Sequence, residues 1–160
     1  MMKTKLQYVN KSPNLDPQYA HKGDSGFDLR AWLQAENDAE LPPEYLEIAP
    51  MERVLIHTGI YVDIPSGCEI QVRPRSGMAL KNGLTILNTP GTIDNNYVNE
   101  ICVIFINLSK EAAIINNGDR IAQAVLCPVY TSEQVKLVKK NTIKENKFRN
   151  LNGFGSTGIR

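Results

Sequence analysis

Residues 112–129 read Ala112-Ala-Ile-Ile-Asn-Asn-Gly-Asp-Arg-Ile-Ala-Gln-Ala-Val-Leu-Cys-Pro-Val129, and the fold turns on how Arg120 to Val129 is taken. Ala122 and Ala124 would suit a helix. The tetrad Asn116-Asn-Gly-Asp119 just before them argues otherwise, because these residue types tolerate the left-handed backbone of tight hairpin turns. With the apolar run Ala112 to Ile115 on its other side, the stretch reads as strand, turn, strand. That reading makes the chain a β protein.

Working outward, the same punctuation recurs. Lys3 to Val9 is a candidate first strand, followed by a loop with Pro13 and Pro17. Tyr45 to Ile48 and Arg53 to Asp63 read as strands rich in Val, Ile and Tyr. Ile64-Pro-Ser-Gly67 is a turn, and Cys68 to Val72 returns as a strand. Leu84 to Leu87, Ile101 to Asn107 and Gln134 to Lys139 complete the set. Many short strands separated by Gly and Pro turns imply an all-β sandwich or barrel.

A length of 160 residues predicts one domain with a core of its own. The apolar fraction of 42% and charged fraction of 22% are those of a soluble globular protein. A net charge of +1 offers no broad basic surface for nucleic acid, so any anion site must be local. No apolar run has membrane-spanning length, and Met1 to Lys5 leads into an alternating strand, not a signal segment. Cys68, Cys102 and Cys127 are odd in number and lack CxxC spacing, so their spacing indicates neither a disulfide framework nor a zinc site. His21 and His57 are far apart and show no ligand motif. The expectation is a reducing cytoplasm.

Two stretches have the chemistry of phosphate binding. In Arg73-Pro-Arg-Ser-Gly-Met-Ala-Leu-Lys-Asn-Gly83, Pro74 predicts the end of a strand and Ser76 an N-cap. Met78 to Lys81 are helix formers and Gly83 a left-handed stop, so a helix of little more than one turn is expected. Its free N–H groups around Ser76 and Gly77 would face the space beside Arg75, where anions are favoured. The tail, Arg149-Asn-Leu-Asn-Gly-Phe-Gly-Ser-Thr-Gly-Ile-Arg160, combines an arginine fork, the hydroxyls of Ser156 and Thr157, and Phe154 between Gly153 and Gly155. Between them, Pro90 to Glu100 reads as a hairpin-like loop carrying one acid, Asp94, and one aromatic, Tyr97. Taken singly, each stretch also suits a capped surface helix, a polar tail or a turn.

Taken in order, these pieces resemble the homotrimeric dUTPase family. His21-Lys-Gly-Asp-Ser-Gly-Phe-Asp-Leu-Arg-Ala31 contains the form Asp-x-Gly-x-Asp-Leu of the family's first motif. Pro74 to Gly83 is similar to the second, Gly91-Thr-Ile-Asp-Asn-Asn-Tyr97 to the third and Gly118-Asp-Arg-Ile-Ala-Gln123 to the fourth; the tail is the fifth. The likeness spans Asp24 to Gly158, and five motifs in order are far more specific than any one. Asn99, Asn150 and Asn152 stand where the family usually has glycine, and Asn is the non-glycine residue best able to keep such turns.

The resemblance implies a β-clip or jelly-roll-like subunit, a threefold trimer with shared active sites, and hydrolysis of dUTP to dUMP and pyrophosphate. It implies a domain over 1–147 and a closing tail over 148–160. Asp94 would act as general base; Arg75, Ser76, Gly77, Gln123, Arg149, Ser156 and Thr157 would hold the phosphates. Asn88 with the backbone of Thr92, Ile93 and Cys102 would read uracil. Tyr97 would pack under the sugar, and Phe154 beside Gly155 would stack over the base. Mg²⁺ would be bound mainly through phosphates and water, with Asp28 a partner of those waters, an orienter of an arginine, or a structural support of its own loop. A dCTP deaminase relative and a non-catalytic nucleotide-binding module are the alternatives.

Overall fold

In the computed structural model, which describes residues 4–35 and 41–142, the segment that decided the fold is a strand. This strand, β11 (Arg120–Pro128), lies inside a four-stranded antiparallel sheet. Its neighbours are β2 (Gly26–Arg30) and β6 (Cys68–Pro74), with β8 (Gly91–Ile93) beyond β6. Ala122 and Ala124 point inward and are fully buried beside Leu29 and Ile70. A bulge against β2 between Arg120 and Ala122 breaks strict alternation, which lets Ile121 and Ala122 both be buried.

A three-stranded sheet orders β4 (Arg53–Ile56), β9 (Val103–Asn107) and β7 (Leu84–Ile86). Two antiparallel ladders hold the remaining described strands: β1 (Gln7–Asn10) with β5 (Ile60–Asp63), and β3 (Tyr45–Ile48) with β10 (Ala113–Asn116). The alternating inward residues of these strands, among them Phe27, Leu29, Ile48, Ile70, Phe105 and Ile115, form one apolar cluster. Such burial stabilises by about 25 cal/mol per Å² of apolar surface. Apart from one short helix, the regular secondary structure of the described residues is all β, as the sequence predicted.

Several local expectations are corrected. The 112–129 hairpin does not pair with itself: β10 joins β3, and β11 joins β2 and β6. The turn is the reason. Ala31 N–H donates to the Asp119 carbonyl and Gly118 N–H to the Ala31 carbonyl, both at 2.8 Å, which delivers β11 alongside β2. Arg53 to Asp63 is two strands, interrupted at His57 to Gly59, where Gly59 takes φ +71°. Gly91 to Ile93 is a strand paired with β6, so the expected loop between β7 and β9 crosses from one sheet to the other.

The one helix among the described residues, α1 (Ser76–Asn82), runs seven residues, longer than expected. Its N-cap is Arg75, not Ser76, because Arg75 is the last residue with extended backbone (φ −89°, ψ 128°). No side chain caps it, so the Ser76 hydroxyl is not used in that way. Gly83 closes the helix at φ 65° as predicted, and a Cβ there would come within 2.8 Å of Ser109 Cβ.

The chain forms two compact units, Met1–Tyr130 and Thr131–Arg160. In the second, Gln134 and Val135 N–H groups both donate to the Thr131 carbonyl at 3.0 Å, making a turn. Residues 134–139 are not a strand; their alternation meets no partner strand among the described residues, and Leu137 is 93% exposed. No described helix is long and apolar enough to cross a membrane.

Candidate active site

The register of the four-stranded sheet sets three polar residues side by side: Asp28 on β2, Gln123 on β11 and Arg73 on β6. They share the face opposite the core, because Phe27, Val72 and Ala124 take the inward positions. Gly26 makes room here, since a Cβ at that point would lie 3.3 Å from Gln123 Cβ. A cleft of about 330 Å³ opens over the row, lined by Asp24, Asp28, Arg73 and Gln123 among others. Asp24 shapes its rim by accepting the His21 N–H at 2.8 Å.

Asp28 is the centre of charge in this region. Its Oδ2 lies 3.2 Å from Arg120 Nη1, and its Oδ1 lies 3.4 Å from Arg75 Nε. The Arg75 contact is an ion pair by distance but misaligned for a hydrogen bond, which leaves Nε buried without a hydrogen-bond partner. Arg75 Nη1 donates to the Arg120 carbonyl at 3.0 Å. The guanidinium is therefore held from two sides, directly before α1. It neighbours the uncapped first turn of that helix, where backbone N–H groups have no intrahelical partner.

On the far strand of the same sheet, Thr92 pairs with Gln71 and Gly91 with Val72. Gly91 has a specific reason to be glycine: a Cβ would come 3.2 Å from Asn88 Nδ2, so the bare backbone admits the Asn88 amide. Asp94 follows Ile93 at the strand's end and opens a turn in which Tyr97 N–H donates to the Asp94 carbonyl at 3.0 Å. The Tyr97 hydroxyl donates to the Glu100 carbonyl at 3.0 Å, which fixes the ring's outer end. Asp94 and Tyr97 are both exposed.

Thus Asp28, Arg75 and Gln123 come together, and Asn88 meets Gly91. Among the described residues, no side-chain hydrogen bond or ion pair links Asp94 to the Asp28–Arg75–Arg120 cluster. The Cys102 thiol turns toward His57, 3.6 Å from Nδ1. Arg149, Phe154, Gly155, Ser156 and Thr157 lie outside the described residues. Arg120 and Arg73 were not singled out from the sequence. Arg120 stands inside the fourth motif, but only sheet register shows that it reaches Asp28, 92 positions away.

Which residues suit a metal follows from the donors. Asp28 has both oxygens facing arginines, so direct chelation would break two ion pairs. Its remaining lone pairs can still accept from metal-bound water, which fits an Mg²⁺ carried by a triphosphate and its own waters.

A family model described as dUTPase matches residues 13–158. The deoxyuridine 5'-triphosphate nucleotidohydrolase of Finegoldia magna is 44% identical over 154 residues, covering 96% of this chain and 99% of that protein. Among solved structures, a dUTPase variant of Staphylococcus bacteriophage 80alpha with dUpNHpp is 25% identical at TM-score 0.71, covering 98% of this chain and 100% of that one. A dUTPase mutant from phage phi11 of S. aureus is also 25% identical, at TM-score 0.69, covering 87% of this chain and 100% of that one; it coordinates a structural Mg(II) ion.

Proposed function

The chain belongs to the dUTPase family, and from that membership we propose that it hydrolyses dUTP to dUMP and pyrophosphate. The reaction lowers dUTP and supplies dUMP. The observation that carries the reading is the arginine-rich cluster around Asp28, set beside an uncapped helix start on the sheet whose edge strand leads into Asp94.

Water attacks the α-phosphorus; a new P–O bond forms as the bond to the bridging oxygen breaks, and pyrophosphate leaves. Asp94 orients that water and takes its proton. Arg75, Ser76, Gly77 and Gln123 hold phosphate oxygens through charge-assisted and backbone donors. Asp28 is a positioning residue for Arg75. When bound with the substrate, Mg²⁺ supplies charge neutralisation at the triphosphate, with Asp28 placed to accept from its waters.

Asn88, with the backbone of Thr92, Ile93 and Cys102, reads the uracil edge. Tyr97 packs under the deoxyribose and excludes a 2′-hydroxyl. Residues 148–160 close over the site as a tail on the 1–147 domain, with Arg149, Ser156 and Thr157 clamping phosphates. Phe154 stacks on the base next to the permissive Gly155. The subunit is a β-clip that assembles as a homotrimer with shared sites. Exposed apolar residues such as Leu55 (58%) and Val98 (79%) support that assembly. Free thiols at Cys68, Cys102 and Cys127 suit a reducing cytoplasm.

Incubation with dUTP and dCTP in parallel, followed by product analysis, tests the reading. The expected result is dUMP and pyrophosphate from dUTP alone. A deaminated product from dCTP would transfer the chain to the other chemistry.

A further inference from the structure

Away from the phosphate cluster, three donor side chains converge where the chain breaks between β4 and β5. Glu100 Oε2 lies 2.9 Å from His57 Nδ1, and Cys102 Sγ lies 3.6 Å from the same nitrogen. All three donor atoms fall within 4.8 Å of one another. We propose that His57, Glu100 and Cys102 form a binding site for a divalent ion of the zinc class, with water completing the coordination.

The dimensions favour this. A tetrahedral ion with bonds of about 2.0–2.3 Å separates its ligand atoms by roughly 3.3–3.6 Å. The sulfur–nitrogen edge already has that length, and the oxygen–nitrogen edge needs to open by only a few tenths of an ångström. The frame is built as well. Glu100 Oε1 accepts the N–H groups of Thr58 at 2.9 Å and Gly59 at 2.7 Å, which fixes the carboxylate and leaves Oε2 facing His57. Trp32 N–H donates to the His57 carbonyl at 2.8 Å, and the buried Thr58 hydroxyl donates to the Ile101 carbonyl. Outer hydrogen bonds of this kind orient metal ligands. The His57 side chain is 40% exposed, which gives an ion a way in.

The rival reading of a Cys–His–acid constellation is nucleophilic catalysis. That arrangement needs thiol and carboxylate on opposite ring nitrogens. Here both approach Nδ1, the geometry of ligands around one point and not of a relay. Sulfur, imidazole and a single carboxylate select zinc-like ions over Mg²⁺, which prefers oxygen. The ion would tie residues 57–59 to the entry of β9. No step of the proposed hydrolysis uses these side chains, and only the backbone of Cys102 enters base reading.

The test is titration of metal-stripped full-length protein with Co²⁺ alone, followed by displacement with Zn²⁺. The expected result is one Co²⁺ per chain with a thiolate-to-cobalt charge-transfer band that Zn²⁺ removes. Cys102→Ser abolishes the band, while Cys68→Ser and Cys127→Ser keep it; Cys102→Ala serves if the serine variant fails to fold. His57→Gln and Glu100→Gln each weaken Co²⁺ binding by at least about tenfold, since loss even of an outer-shell partner typically costs that much. A band that survives both Cys102 variants, unchanged affinity in His57→Gln, or no saturable binding by the wild type below millimolar Co²⁺ overturns the site.

Discussion

Replacing Asp28 by Asn keeps the side chain's shape and one carbonyl acceptor but removes the charge that faces two arginines. The Asp28 and Arg75 side chains are 13% and 25% exposed. Their pair therefore lies between a surface ion pair, worth about 0.2–1 kcal/mol, and a buried one, whose breaking costs about 3–5 kcal/mol. Breaking a half-screened pair of this kind costs about 1–2 kcal/mol. Arg120 is 44% exposed, so solvent screening limits its share to about 0.5 kcal/mol. For a chain of 160 residues, each kcal/mol shifts Tm by about 2–4 °C, so Asp28→Asn should melt about 3–10 °C lower. Arg75 keeps its bond to the Arg120 carbonyl but loses its electrostatic anchor. KM for dUTP should then rise by roughly 3–10-fold with a smaller change in kcat, the mark of weakened ground-state binding. Calorimetry and steady-state pyrophosphate release provide both readouts. An unchanged KM together with an unchanged Tm would refute the claim that Asp28 positions Arg75.

Three further substitutions probe other parts of the molecule. Asp94→Asn cannot accept the water's proton, so turnover should fall by roughly 10²–10⁴-fold while nucleotide binding persists, measured by single-turnover kinetics and analogue binding. Tyr97→Ala removes the ring and its bond to the Glu100 carbonyl; the UTP-to-dUTP ratio of kcat/KM should rise, and a constant ratio would assign sugar selection elsewhere. Glu100 is burdened by burial, yet the His57 contact and the Gly59 and Thr58 N–H groups outweigh that and hold its carboxyl below the ordinary 4.5. A lowered folded-state pKa contributes stability that is present above the unfolded value and lost as pH falls through the folded one. Glu100→Gln should accordingly be less stable than wild type at neutral pH, with the gap closing below about pH 4.5 in urea midpoints; a constant gap would deny the shift.

The strands were legible because alternation and turn chemistry are local. Tyr45–Ile48 was read to the residue, and β11 was recognised as a strand despite its alanines. Pairing was not legible: two backbone bonds to Ala31 send β11 to β2, and nothing in residues 112–129 encodes that distant partner. The inward residues Phe27, Leu29 and Ala31 carry a strand's alternation, yet the first motif was read for its acids and the strand beneath it was passed over. Motif order brought Asp28, Arg75 and Gln123 into one account, but their meeting depends on sheet register. The His57–Glu100–Cys102 cluster had no sequence signal, since His57 lies 43 and 45 positions from Glu100 and Cys102 and meets them only through the break between β4 and β5.

Hydrolysis of dUTP in ¹⁸O-labelled water, with UTP and the four common deoxynucleoside triphosphates as parallel substrates, tests the central claim most directly. The account predicts rapid formation of dUMP and pyrophosphate from dUTP alone, with the label in the dUMP phosphate, because water attacks the α-phosphorus. Label in pyrophosphate, or equal turnover of the other nucleotides, would contradict it.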